Sequence, residues 1–270
     1  MASNTETYKA TYDFVLPTVV LHGGPFAAHI PSFTSWDIIA KPSPKGLTVE
    51  VVVGASDMPA ASKLAETCAH RFADFLTLEF AEHVNERITP ERTGQEFNSD
   101  NGGSVPLLSG EIVMVGSTVT AMLTTNISEE KFSAVVKKFE DHTALAPPPI
   151  IAAELFVARE MYFAALNTSH PIARFVILYS TMAVYSTFKL GTSMKSSQER
   201  IDAVLTSEDT TLSYYPHPNR QNKKETIFTA ARNDFIHAEE RGRNPSAAMT
   251  AIESLTPRFR VLVAQILRKG

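Results

Sequence analysis

Residues 171–190, PIARFVILYSTMAVYSTFKL, open on a proline and carry apolar side chains on nearly every face of a helical projection. Pro171 suits the first turn of a helix, where a missing N–H costs nothing, and Gly191 stands where such a helix stops. A helix apolar all round must be surrounded by other helices, so this segment predicts the central member of a helical bundle. Its longest apolar run, Phe175 to Phe188, is too short and too often interrupted by Tyr, Ser and Thr to span a bilayer.

Outward from this segment the pattern stays helical. A helix is expected from about Pro149 to Asn167. Ser196 and Glu199 have capping-box spacing ahead of a short helix bearing Ile201, Val204 and Leu205. After the polar loop 207–221, Asn222 and Glu225 repeat that spacing and predict a helix over Lys223–Arg241. Asn244 and Pro245 then cap and start a last helix to about Arg268, with a bend expected at Pro257. Pro147 to Pro149 is a rigid break, and the domain boundary is placed there: an α+β N-terminal domain over 1–146 and an all-α helical bundle over 147–270.

In the first part, Tyr8–His22, Leu47–Val53 and Glu111–Thr125 read as strands, rich in Val, Tyr, Phe and Thr. Met58–Arg87 carries Leu64, Cys68, Phe72, Phe75 and Leu76 at helical spacing. The stretch 93–104, TGQEFNSDNGGS, reads as a loop. Ser128 is an N-cap with Ile127 and Phe132 as a hydrophobic staple, opening a helix to about His142. Trp36 and Phe33 are expected in the core of this domain.

The 270 residues are 44% hydrophobic and 20% charged, which is enough chain for a large core and excludes a disordered or collagen-like protein. The start, MASNTETYKATYDF, has no basic or apolar leader pattern, so a cytoplasmic protein is expected. One cysteine, Cys68, forms no internal disulfide. The net charge of −4 argues against a protein that coats nucleic acid. The charge is uneven, however: from His217 onward ten Lys and Arg face five Asp and Glu, an excess that permits a site for a phosphate-bearing ligand but that ordinary solvated helix faces also explain.

Several chemistries lack their residues. His22-Gly23-Gly24 is unaccompanied by any G-x-S-x-G turn, no Gly-rich nucleotide loop is present, and the pairs His22/His29 and His70/His83 lack zinc spacing and partners. No metal and no cofactor are expected. The informative segment is 225–243, ETIFTAARNDFIHAEERGR. Phe228, Ala231, Phe235 and Ala238 form the stripe that faces the core, while Asn233, His237 and Glu240 fall on the opposite side and Arg232 on the flank. Arg232 lies about 140° around from His237, so their heads converge only if the arginine bends across or the helix is distorted. Ile236, apolar among polar neighbours, marks a partner surface.

An arginine and a histidine so placed suit phosphodiester cleavage. The guanidinium pairs with phosphate oxygens, and the imidazole exchanges protons with a ribose 2′-hydroxyl or the departing 5′-oxygen. RNA carries its own nucleophile, so no metal is required. Asn233 would orient the imidazole or donate to the phosphate. Arg241 and Arg243 would extend the phosphate path, although cations there also suit a helix C-terminus. Tyr214, Tyr215 and His217 would stack on bases or, by the simpler reading, pack the loop.

The motif RNDFIH, with Arg232, Asn233 and His237 late in a helical bundle, resembles the HEPN superfamily, whose ribonucleases carry R-x4-6-H, often with Asn after the Arg. The resemblance covers 149–270. It implies a HEPN-like fold and a homodimer in which two motifs form one composite site, a metal-independent endoribonuclease that leaves a cyclic phosphate. It also implies defence or toxin action, with an antitoxin or operon partner. Its alternative is a noncatalytic dimerisation or RNA- or protein-binding module, and a third reading is an unrelated helical domain with a chance motif. ETIFTAARNDFIHAEE and the upstream QERIDAVL are also similar to the methylamine-utilisation protein MauJ family, which implies no activity. HEPN toxins regulated by nucleotide addition carry Tyr two residues after the His; here Glu239 stands there.

Overall fold

A computed structural model describes residues 6–16, 18–30, 36–98, 104–107, 125–144, 153–192, 196–217 and 223–269. The chain divides into two compact units, Met1–Pro149 and Ile150–Gly270. Among the described residues no helix is long and apolar enough to cross a membrane.

The first unit is an antiparallel sheet with helices. Its strands are β1 (Glu6–Val15), β2 (Val19–Leu21), β3 (Phe26–Ile30), β4 (Trp36–Ser43), β5 (Gly46–Ala55), β6 (Pro90–Asn98), β7 (Ser104–Leu107) and β8 (Thr125–Ile127). Six form one sheet in the order β3-β4-β5-β1-β6-β7, while β2 and β8 pair in parallel. Strand alternation sorts the side chains: Tyr8, Ala10, Tyr12 and Phe14 of β1 and Leu47, Val49, Val51 and Val53 of β5 are buried. The intervening positions form a more polar face, where Glu50 accepts from Lys41 and pairs with Lys9.

Helix α1 (Met58–Glu79) is capped by Asp57, whose carboxylate accepts from the Ala60 N–H at 2.8 Å. Ala61, Ala65, Ala69 and Ala73, four residues apart and buried, form a thin ridge that lets it lie close to β1 and β5. Helix α2 (Glu129–Ala144) starts after Ser128, whose hydroxyl accepts from the Lys131 N–H, with Ile127 and Phe132 both buried beside it. Phe139 of α2 packs against Phe72, Phe75 and Trp36.

Several sequence expectations need correction here. The helix expected over Met58–Arg87 stops at Glu79, because the chain turns back so that Arg87 forms a two-pronged pair with Asp74 and the Ile88 N–H bonds the Thr77 hydroxyl. The strand expected over Tyr8–His22 is two strands broken after Val15. Residues 93–98, expected in a loop, belong to β6, paired with β1. Phe33 and residues 111–124 lie outside the described residues.

The second unit is mainly helical: α3 (Ala153–Leu166), α4 (Pro171–Leu190), α5 (Ser197–Glu208), α6 (Ile227–Ile236) and α7 (Pro245–Lys269). Pro171 sits in the first turn of α4, and Gly191 closes it at a positive φ of 64° with its N–H on the Thr187 carbonyl. Ser196 caps α5 by accepting from the Glu199 N–H, and Asn244 accepts from the Ser246 N–H at the start of α7. α7 continues through Pro257. The core centres on Phe259 of α7, which stacks on Phe228 with centroids 4.4 Å apart and touches Phe175 and Tyr179 of α4.

Two features depart from an all-helical reading. The segment expected as loop and helix start forms a hairpin of β9 (Tyr214–Pro216) and β10 (Lys224–Thr226). And α4 is buried along one face only, leaving Val176 and Phe188 exposed.

Candidate functional site

Helix α6 begins later and ends sooner than its periodicity suggests. Thr226, not Asn222, is the N-cap: its hydroxyl accepts from the Thr229 N–H. Glu225, expected inside the first turn, instead belongs to β10 and is 1% exposed. The helix ends at Ile236, and His237 leaves helical geometry at φ −116°, ψ 36°. A turn follows in which the Arg241 N–H bonds the His237 carbonyl, and Gly242, at φ 58°, reverses the chain toward Asn244.

The reason for the early end is a buried ion pair. Arg241, with 6% of its side chain exposed, donates to both oxygens of Glu225 at 3.1–3.2 Å and to Asp234 at 3.0 Å. In an unbroken helix, sixteen residues would separate Glu225 from Arg241 by about 24 Å along the axis, far beyond the reach of a guanidinium. Breaking the helix at His237 folds Arg241 back onto Glu225. The distortion that the sequence left open thus falls at the histidine.

Arg232, Asn233 and Glu225 form one chain of hydrogen bonds. Asn233 is 2% exposed, so its expected place on the open side of the helix is corrected. Its Nδ2 donates to Glu225 at 2.9 Å, and its Oδ1 accepts from Arg232 at 2.9 Å and from Gln198 of α5 at 3.0 Å. Asn233 therefore orients the arginine; its bond to His237 is made by the backbone alone. The Arg232 guanidinium also lies over the ring of Tyr179, 5.6 Å from its centroid. Among the described residues both groups that hold Arg232 are neutral, and no carboxylate pairs with it directly.

His237 is 43% exposed at the side chain, with Nδ1 3.3 Å from the exposed carboxylate of Glu240. Ile236 beside it is 47% exposed. Arg243, 59% exposed at the side chain, pairs with Asp234. The expectation that Arg241 contacts RNA phosphate is revised, because its guanidinium is committed to two carboxylates inside the fold. Arg243 remains at the surface.

Below this layer lies a second polar cluster. Asp202 of α5 accepts from the hydroxyls of Thr226 and Thr229, both at 2.6 Å, and Thr229 also shares a hydrogen bond with Tyr179. Burial pushes the Asp202 carboxyl above its usual range, and the two hydroxyls only partly offset it. Burial likewise pushes the Tyr179 hydroxyl up to about 12. The places of Glu225, Asp202, Gln198 and Tyr179 were not recognisable from sequence, since they lie outside α6 on β10, α5 and α4 and meet it only through space. Among the described residues no group of three or more His, Cys, Asp or Glu is arranged to hold a metal.

No family model, curated protein or solved structure matches the chain.

Proposed function

We propose that the second unit is a HEPN-like domain that cleaves RNA without a metal, acting in the cytoplasm as a homodimer whose two Arg232/His237 pairs form one site. One observation carries the reading: Arg232 is held by neutral groups, five residues before a half-exposed imidazole. A positioned cation without a direct carboxylate partner is suited to an anion brought from outside, and a phosphodiester is the anion whose cleavage an imidazole assists.

In this reaction one His237 takes the proton of the ribose 2′-hydroxyl. The 2′-oxygen attacks phosphorus, the bond from phosphorus to the 5′-oxygen breaks, and the protonated imidazole of the second copy gives its proton to that oxygen. The products are a 2′,3′-cyclic phosphate and a 5′-hydroxyl. Arg232 binds the non-bridging oxygens, on which charge builds as phosphorus becomes five-coordinate. Asn233 keeps the guanidinium in place, and Glu225 and Arg241 support Asn233.

A noncatalytic binding module is the second reading. It is favoured by the commitment of both polar atoms of Asn233 to internal partners, which leaves the motif fewer groups for substrate. Incubation of labelled RNA with the full chain in EDTA separates the two. The ribonuclease reading expects cyclic-phosphate ends and a loss of about 100-fold or more in His237→Ala and Arg232→Ala, with melting temperatures unchanged. RNA that the parent protein binds but leaves intact refutes it in favour of the module.

A further inference from the structure

The outer strand of the hairpin carries two half-exposed tyrosines, Tyr214 at 48% and Tyr215 at 45%. Both lie in a β-strand, where a loop was expected. Successive strand residues point to opposite faces, and directly paired residues share a face. Tyr215 pairs with Glu225 and Tyr214 with Thr226. Because Glu225 turns its carboxylate to Asn233 and Arg241, Tyr215 lies on the hairpin face that meets the Arg232 network. Tyr214 lies on the other face, with Thr226 and its hydrogen bond to Asp202.

The path from Tyr215 to the reactive arginine is short. Its strand partner Glu225 accepts from Asn233, and Asn233 accepts from Arg232, so two hydrogen bonds separate that partner from the arginine. On this face His217, whose side chain is 14% exposed, stands 3.5 Å from Glu225, while Lys224 is exposed and shares the face of Thr226 and Tyr214. A half-exposed ring on the hairpin face that meets the Arg232 network fits a base whose phosphate that arginine holds.

We propose that Tyr215 is a base-stacking platform that makes the site selective for single-stranded RNA, an inference that rests on the ribonuclease reading above. A base within a duplex has both faces covered by its neighbours, whereas an unpaired base offers one to the tyrosine ring. The stacked base fixes which phosphate reaches Arg232. Tyr215 is thus a positioning residue.

The test is fluorescence anisotropy with a labelled RNA 12-mer, alone and annealed to its complement, using full-length protein with His237→Ala to prevent cutting. Single-stranded RNA is expected to bind at least 10-fold more tightly than the duplex. Tyr215→Leu is expected to weaken single-strand binding by roughly 5- to 150-fold, the range of one base-aromatic stack. Tyr215→Phe should restore it to within 2-fold, and Tyr214→Leu should stay within 2-fold of the parent. Equal binding of duplex, an unaffected Tyr215→Leu, failure of Tyr215→Phe to restore binding, or an equal loss in Tyr214→Leu each overturns the proposal while leaving the ribonuclease reading standing. No binding of either RNA by the parent overturns both. The strand preference of the parent needs no hairpin variant and decides the matter if Tyr215→Leu fails to fold.

Discussion

Replacing Glu225 by Gln should destabilise the second unit more than any surface charge change, and its size follows from the geometry. Glu225 is 1% exposed, Arg241 has 6% of its side chain exposed, and three contacts at 3.1–3.2 Å join them. Removing one charge of a buried pair costs about 3–5 kcal/mol, because the remaining ion stays out of water. Two features set the value at the low end. Gln still accepts from Asn233, and Asp234, with 22% of its side chain exposed, still faces Arg241. A loss of about 3 kcal/mol in a unit of this size lowers its melting temperature by about 12 °C. The assay is urea and thermal unfolding followed by circular dichroism, in a cycle of Glu225→Gln, Arg241→Met and both together. Removal of both charges leaves no lone buried ion, so the double variant should lose at least about 2 kcal/mol less than the sum of the single losses. Additivity within about 0.5 kcal/mol, or a Glu225→Gln protein melting within 2 °C of the parent, would refute the claim that this pair folds the turn back at His237.

Other consequences are measured separately. Burial pushes the hydroxyls of Tyr162 and Tyr179 up to about 12, above the unfolded value of 10.0; their contribution is full below pH 10 and is lost as pH rises toward 12, by up to about 3 kcal/mol each. Urea melts of the second unit at pH 9.5 and 11.5 that agree would contradict this. Burial also pushes the Cys68 thiol up to about 12, so a thiol reagent at pH 8 should react at least 100-fold more slowly with folded protein than with protein in urea; equal rates would place Cys68 at the surface. Ile236→Asp should leave the melting temperature unchanged, since the side chain is 47% exposed, while light scattering shifts from dimer to monomer mass; a dimer that persists, or a parent that is already monomeric, removes Ile236 from the seam.

What could be read from sequence was local. Pro171 and Gly191 bound α4 because a ring without an N–H and a residue tolerant of left-handed backbone act at their own positions. Ser128, Ser196 and Asn244 accept from N–H groups two or three residues onward, a reach that a sequence displays directly. The β6 strand was hidden because its residues PERTGQEFN are polar and its hydrogen bonds come from β1, about eighty residues away. The register shift between Thr11 and Tyr12, which sets Tyr12 opposite Arg92, has no local signal either. The extent of α6 was misjudged for the same reason: periodicity reports which face is apolar, but Glu225 and Arg241 decide the ends by meeting through space. The motif residues themselves were visible, and the element that supports them was not.

The three arginines of the motif segment, although only eleven residues apart, are given different work by their surroundings. Arg241 is surrounded by carboxylates, so its charge is spent inside the fold and its loss should appear first as lower stability. Arg243 shares Asp234 at the surface, where screening leaves such a pair little influence on stability. Arg232 alone among them is fixed by neutral groups, an amide oxygen and an aromatic ring, which orient a guanidinium without cancelling its field. Placement of a cation this way makes sense where its counter-ion arrives from outside and departs again. The consequence separates the arginines experimentally: Arg232→Ala should abolish RNA chemistry with little change in melting temperature, whereas Arg241→Ala should lower the melting temperature and reduce activity only as far as it loosens Asn233. If the two substitutions prove interchangeable in both measurements, the division of roles by local charge is wrong.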